Sequence, residues 1–138
     1  MAEMLRFAVT HHYDTRKAGI TVDVLLRLGS KEVEVVTKLA TGASFCIFRR
    51  LYGELLGLTI ESGQPETLST PMGSFLAYGH EVRLLALGLE FQTTVYFAAD
   101  ENFRRNVLGR QGWLDHVRLG LIDYEGKLFL SDYNDPNG

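Results

Sequence analysis

Residues 20–39 constrain the fold more tightly than any other stretch of the chain. Ile20, Val22, Val24, Leu26 and Leu28 alternate with Thr21, Asp23, Leu25 and Arg27, and a second β-rich run, 31–39, follows Gly29-Ser30. An apolar period of two buries one face of an extended strand and does not fit the 3.6-residue period of a helix. Two such runs around a Gly-Ser pair predict an antiparallel hairpin with a glycine-first turn. The signal recurs downstream. Residues 67–70 and 74–87 flank Pro71-Met72-Gly73 and predict a long hairpin with a tight tip; 91–97 predicts another strand. Residues 117–122 and 127–130 bracket Tyr124-Glu125-Gly126 and predict a last hairpin. Helical signal is sparse. Ile47, Leu51, Leu55 and Leu56 recur at helical spacing up to Gly57, and 110–115 predicts one helical turn. The expected class is all-β, a small closed barrel of short strands with one or two short helices.

Composition narrows the function classes. With 138 residues, 46% of them hydrophobic and 22% charged, the chain has the balance of a globular protein and not of a disordered one. We read 1–138 as a single domain, with 1–17 as an N-terminal arm and 132–138 as a C-terminal tail, frayed over 134–138. The single cysteine, Cys46, excludes an internal disulfide and a cysteine-built zinc site. No basic leader precedes a long apolar stretch, and no apolar run approaches the ~18 residues of a membrane span. A cytoplasmic location with no membrane partner is therefore expected. A net charge of −3 argues against a general nucleic-acid partner, so Arg49-Arg50 and Arg104-Arg105 read as solvated faces.

Two segments carry the functional signal. Ala40-Thr41-Gly42-Ala43-Ser44 follows a hydrophobic strand, and Val107-Leu108-Gly109-Arg110 lies in the last third of the chain. Between them sits the predicted hairpin at 67–80. Alone, each is an ordinary strand exit. Together, in this order, they resemble the retropepsin-like aspartic proteases over roughly residues 18–131. That family closes a hydrophobic strand with Asp-Thr-Gly-Ala-Ser and later carries a hydrophobic-hydrophobic-Gly motif, often followed by Arg, before a short helix. The wording of 106–121 is similar to the bacterial members.

The resemblance implies a homodimer with one loop from each chain at the two-fold axis. It implies an extended peptide or protein substrate lying under hairpin flaps, and no cofactor or metal. Thr41 would hydrogen-bond across the axis, and Gly42 would let the backbone approach the substrate. Ala43, Ser44, Val107, Leu108 and the flap residues Met72, Gly73, Ser74 and Phe75 would line the cleft. The apolar Met72 and Phe75 read equally as substrate contacts and as packing of the hairpin. Gly109 and Arg110 would support the site.

One departure decides the chemistry. Ala40 occupies the position of the catalytic aspartate, and a methyl group neither takes nor gives a proton. The expected parent activity is peptide-bond hydrolysis by water activated between two Asp, and this chain is expected to be an inactive Asp-to-Ala form. The intact loop around Ala40 favours that over the alternative, a natural pseudoprotease acting as a dimeric peptide-binding module. A third reading is a barrel with no peptide cleft. A milder departure is Ser44, where retroviral members often carry an acid that pairs with the later arginine; Arg110 is left to orient a loop at the dimer interface.

The remaining reactive side chains read as structural. His11 and His12 are adjacent in an extended segment and point opposite ways, a poor start for a metal site with Asp14. His80, His116 and Trp113 read as packing or hydrogen-bonded residues. Cys46, without any cysteine-peptidase signature around it, reads as a small core residue.

Overall fold

The computed structural model describes residues 1–71 and 73–136. Among the described residues are ten strands: β1 (Val9–His12), β2 (Thr21–Leu28), β3 (Lys31–Leu39), β4 (Ile47–Phe48), β5 (Gln64–Thr70), β6 (Gly73–Ala86), β7 (Leu89–Ala98), β8 (Val107–Leu108), β9 (Val117–Ile122) and β10 (Lys127–Asp132). One α-helix, α1, spans Arg50–Leu55, and 3-10 turns occur at Ile60–Ser62, Leu114–His116 and Asp123–Glu125.

The predicted hairpins form as the alternation demands. β2 pairs antiparallel with β3 from Thr21↔Lys38 to Leu28↔Lys31, and Gly29 begins the turn at φ +60°. Val22, Val24 and Leu26 of β2 and Val35 of β3 point into the core. The one polar side chain on that inner face of β3, Thr37, donates its hydroxyl to the Val22 carbonyl at 2.8 Å, so its burial leaves no unmet group. β9 pairs with β10 across the 3-10 turn at Asp123–Glu125. β6 and β7 meet at Leu87-Gly88, where both residues have positive φ, +52° and +82°. That is the twist a two-residue hairpin loop requires, and at Leu87 it places a side-chain-bearing residue where glycine is favoured.

The main sheet runs β2-β3-β8-β4-β7-β6-β5, and β6 also pairs back onto β2 from Val24↔Ala86 to Arg27↔Arg83. That pairing returns the sheet to its first strand and leaves β5 outside the ring. Inside lie Phe48, Phe97, Trp113, Leu26, Leu84 and Leu108, all fully buried. A second sheet, β1-β10-β9, is built from the two ends of the chain.

Several expectations need correction. Ile47 is not helical: with Phe48 it forms β4, parallel to Tyr96–Phe97 of β7 and antiparallel to Val107. The helix starts only at Arg50, and Leu51 and Leu55 face outward at 45% and 53% exposure. The fourfold spacing was that of an outer face. The turn expected at 110–115 arrives late, as the 3-10 segment Leu114–His116. The N-terminal arm is partly sheet, since β1 pairs with β10 of its own chain. The tail is tied as well: Tyr133 N–H donates to the His116 carbonyl at 3.0 Å, and Arg118 donates to the Asp135 carbonyl at 2.5 Å. Arg50 is no solvated face. It donates to the Ala99 carbonyl and forms ion pairs with Glu61 at 2.6 Å and Glu54 at 3.6 Å.

Candidate active site

The two motifs meet because β3 and β8 run side by side. Their parallel register pairs Lys38 with Val107 and Leu39 with Leu108. At the strand exit the ladder continues through the loop: Ala40 N–H donates to the Leu108 carbonyl at 2.9 Å. Ala43 N–H then donates back to the Ala40 carbonyl at 3.1 Å, which folds Thr41-Gly42 into a turn. Beyond it, Arg110 N–H donates to the Ala43 carbonyl and Gln111 N–H to the Ser44 carbonyl, both at 2.9 Å. The loop is thus tied on both sides to the second motif, while Thr41, Gly42 and Ser44 stay exposed.

Gly109 is what permits this. A Cβ there would lie 2.2 Å from the Phe45 carbonyl oxygen and 2.8 Å from that of Ala43, distances no side chain tolerates. Below it, Gly109 N–H donates to Cys46 Sγ at 3.4 Å. Burial pushes the Cys46 thiol up to about 12, so it is neutral at physiological pH and holds no nucleophilic thiolate. Its role is in the core.

A cavity of about 410 Å³ opens beside the loop, lined by Thr41, Ser44, Arg110, Gln111, Leu114 and Asp115. Gln111, Leu114 and Asp115 were not foreseen. They reach the cavity because Leu114 and Asp115 fold back onto Gly109 and Arg110, with N–H to carbonyl distances of 3.1 and 2.9 Å, and the sequence has no local signal for that. Asp115 Oδ1 accepts the Gly112 N–H at 3.1 Å. Arg110 is exposed and makes no ion pair among the described residues; its tie to the loop is made by its backbone.

Leu108, expected in the cleft, is fully buried and belongs to the core, whereas Val107 keeps part of its surface. On the hairpin, Thr70 pairs with Gly73, Ser69 with Ser74 and Leu68 with Phe75. Gly73 and Ser74 are exposed; Met72 lies outside the described residues. Phe75 finds cover within its own chain, stacked on Phe103 with ring centroids 4.6 Å apart. Among the described residues, none of the hairpin lines the cavity beside Thr41. Hairpin and motif loop are instead joined through residues 99–106: Ala99 N–H donates to the Leu76 carbonyl at one end, and Asn106 accepts from Lys38 N–H at the other.

His11, His80 and His116 are held by hydrogen bonds or ring contacts within the chain. His11 Nε2 lies 3.1 Å from the Thr21 carbonyl oxygen while His12 is exposed. His80 Nε2 lies 2.9 Å from the Ile60 carbonyl oxygen, and His116 stacks on Phe91 at 4.4 Å.

No protein-family model matches this chain, and no curated protein is found similar to it. Solved structures are. A retropepsin-like aspartic protease from Rickettsia conorii superposes with a TM-score of 0.67 at 17% identity, over 89% of this chain and 97% of that one. EIAV protease complexed with the inhibitor HBY-793 gives 0.53 at 18%, over 68% of this chain and 84% of that one. This is the retropepsin fold. The order of strand, small-residue loop, hairpin and second motif that the sequence displays is the order in which the retropepsin fold assembles here. No helix among the described residues is long and apolar enough to cross a membrane.

Proposed function

We propose that this chain is one subunit of a homodimeric retropepsin-like aspartic endopeptidase with alanine at the catalytic position, so that it binds extended peptides and does not cleave them. The observation that carries the reading is the loop Ala40–Ser44, tied on both sides to residues 108–111 and presenting Thr41 and Gly42 outward. One chain holds one such loop. A two-carboxylate site therefore needs a second copy, with the loops facing across a two-fold axis. In the Asp form, two carboxylates a few Å apart share one proton; one draws a proton from water as it attacks the peptide carbonyl, and the other protonates the leaving nitrogen. Ala40 removes both roles and leaves the cleft. An extended peptide would pair its backbone there as an added strand.

The test is Ala40→Asp. The variant should gain peptide hydrolysis that a transition-state analogue of the pepstatin type inhibits, while the parent chain shows none. A folded, dimeric Asp variant that cleaves nothing in a broad peptide library between acid and neutral pH would remove most of the support for the protease reading.

A further inference from the structure

We infer that a second copy of this chain docks on the open edge of β9, where the two β9 strands pair antiparallel about a two-fold axis at Leu119 and join the two terminal sheets into one. This rests on the homodimer reading above and adds the surface by which the subunits meet. Among the described residues, β1, β5 and β9 have a neighbouring strand on one side only. A free strand edge offers unpaired N–H and C=O groups, and folded chains guard such edges by short length, charge or proline. β1 has four residues, and β5 carries Pro65 and Glu66. β9 has six residues, no proline and a single charge, Arg118. That charge is engaged elsewhere, since the Arg118 guanidinium donates to the Asp135 carbonyl in the tail. Leu121 and Ile122, toward the end of the edge, are 47% and 44% exposed.

The ladder inside the sheet fixes which backbone groups face out. Tyr133 N–H donates to the His116 carbonyl, one step beyond the pair Asp132↔Val117. Hydrogen-bonded pairs alternate along an antiparallel ladder, so Arg118, Gly120 and Ile122 bond to β10, and Val117, Leu119 and Leu121 turn their N–H and C=O groups to the open side. On the far side of β10, the bond from Tyr13 N–H to the Gly126 carbonyl gives Leu128 and Leu130 to β1, as the same alternation requires. With Leu119 opposite its own copy, Val117 meets Leu121 on both sides of the axis, and every outward group is used in about six hydrogen bonds. Arg118 then faces a glycine, Gly120 of the second copy, and not another arginine. Centring on Gly120 would set Val117 against Asp123, which lies in a 3-10 turn and cannot extend the ladder. β9 leaves directly from the 3-10 turn Leu114–His116, whose Leu114 and Asp115 line the cavity beside Thr41. At ~3.3 Å per residue, Asp115 is at most about 13 Å of chain from Leu119, so the axis runs near the motif loop that a two-carboxylate site needs at a two-fold.

The experiment uses the full chain in sedimentation velocity over a concentration series. Leu121→Pro removes an outward N–H and none from the chain's own ladder, so the fold should stand by circular dichroism. Two hydrogen bonds are lost per dimer, each worth about fivefold in affinity, so the dimer Kd should rise about 25-fold. Leu119→Cys sets two thiols opposite each other at the axis with Cα atoms about 5.5 Å apart, within the span of a disulfide. Under mild oxidation this variant should run as a covalent dimer on a non-reducing gel. The parent should not, because its one thiol, Cys46, is buried and pushed up to about 12. A parent dimer that folded Leu121→Pro weakens by less than about threefold, or a folded, dimeric Leu119→Cys that does not crosslink, would overturn the β9 pairing and leave the homodimer reading standing. Should Leu121→Pro fail to fold, the crosslink decides alone. A parent chain that stays monomeric up to about 1 mM would overturn both.

Discussion

The two motif glycines look alike in sequence and sit in opposite surroundings. Gly109 is walled in: an added Cβ would strike two backbone carbonyl oxygens, of Phe45 and Ala43. Gly42 is open: among the described residues nothing beyond its chain neighbours lies within 4 Å of the same added atom, and its φ is not one that favours glycine. The first glycine is explained by the fold. The second has no steric reason among the described residues, and under the proposed function a second subunit or a bound peptide would approach it. One motif glycine answers to folding; the other is free of that constraint.

Substitution separates the two. Gly109→Ala should cause the largest loss, about 3 kcal/mol of unfolding free energy in urea, because the obstructing atoms are backbone and cannot swing aside. A loss under 0.5 kcal/mol would show that the loop relaxes easily and would dissolve the contrast. Gly42→Ala should leave unfolding unchanged or slightly favourable, since a methyl group fits and the unfolded chain loses freedom. Its effect should appear as peptide binding or self-association weakened about tenfold, or about 1.4 kcal/mol. Undiminished association and binding would mean that nothing approaches Gly42. The smallest effect sharpens the open side. Phe103→Ala removes the stack on Phe75, worth about 1 kcal/mol, and should speed amide exchange at Gly73 and Ser74 about fivefold. Exchange at the parent rate would show that the hairpin is held by its ladder alone.

Much of this was legible in the sequence, for physical reasons. Strand alternation and turn residues act over a few neighbours, so the hairpins at Gly29 and Gly126 could be read directly. The motif loop was legible only with Val107-Leu108-Gly109-Arg110 and the hairpin between them, through the resemblance that the three carry in this order. What the sequence hid were pairings between distant segments. β4 was mistaken for helix because Ile47, Leu51 and Leu55 keep fourfold spacing; Tyr96–Phe97, about a third of the chain away, supply the ladder that holds Ile47–Phe48 extended. Arg50 passed as surface because its partners Glu61 and Ala99 lie 11 and 49 residues on. Phe75 read equally as a substrate contact and as packing, and its packing partner Phe103 lies outside the hairpin, in the segment after β7.

The long strand β6 acts as a cantilever. Its root, residues 83–86, is hydrogen-bonded on both sides, to β2 and to β7. Its outer end, Gly73–Leu76, pairs with β5 alone, β7 joining only from Ala77. The Leu76 carbonyl still accepts the Ala99 N–H, so the free span is residues 73–75, about 10 Å at ~3.3 Å per residue. Bending stiffness falls steeply where a beam loses one of its two supports, so deflection concentrates beyond Ala77 and the ring does not feel it. A ligand lifting the tip works against that short overhang and its one aromatic clamp, and the ring beneath is left undistorted.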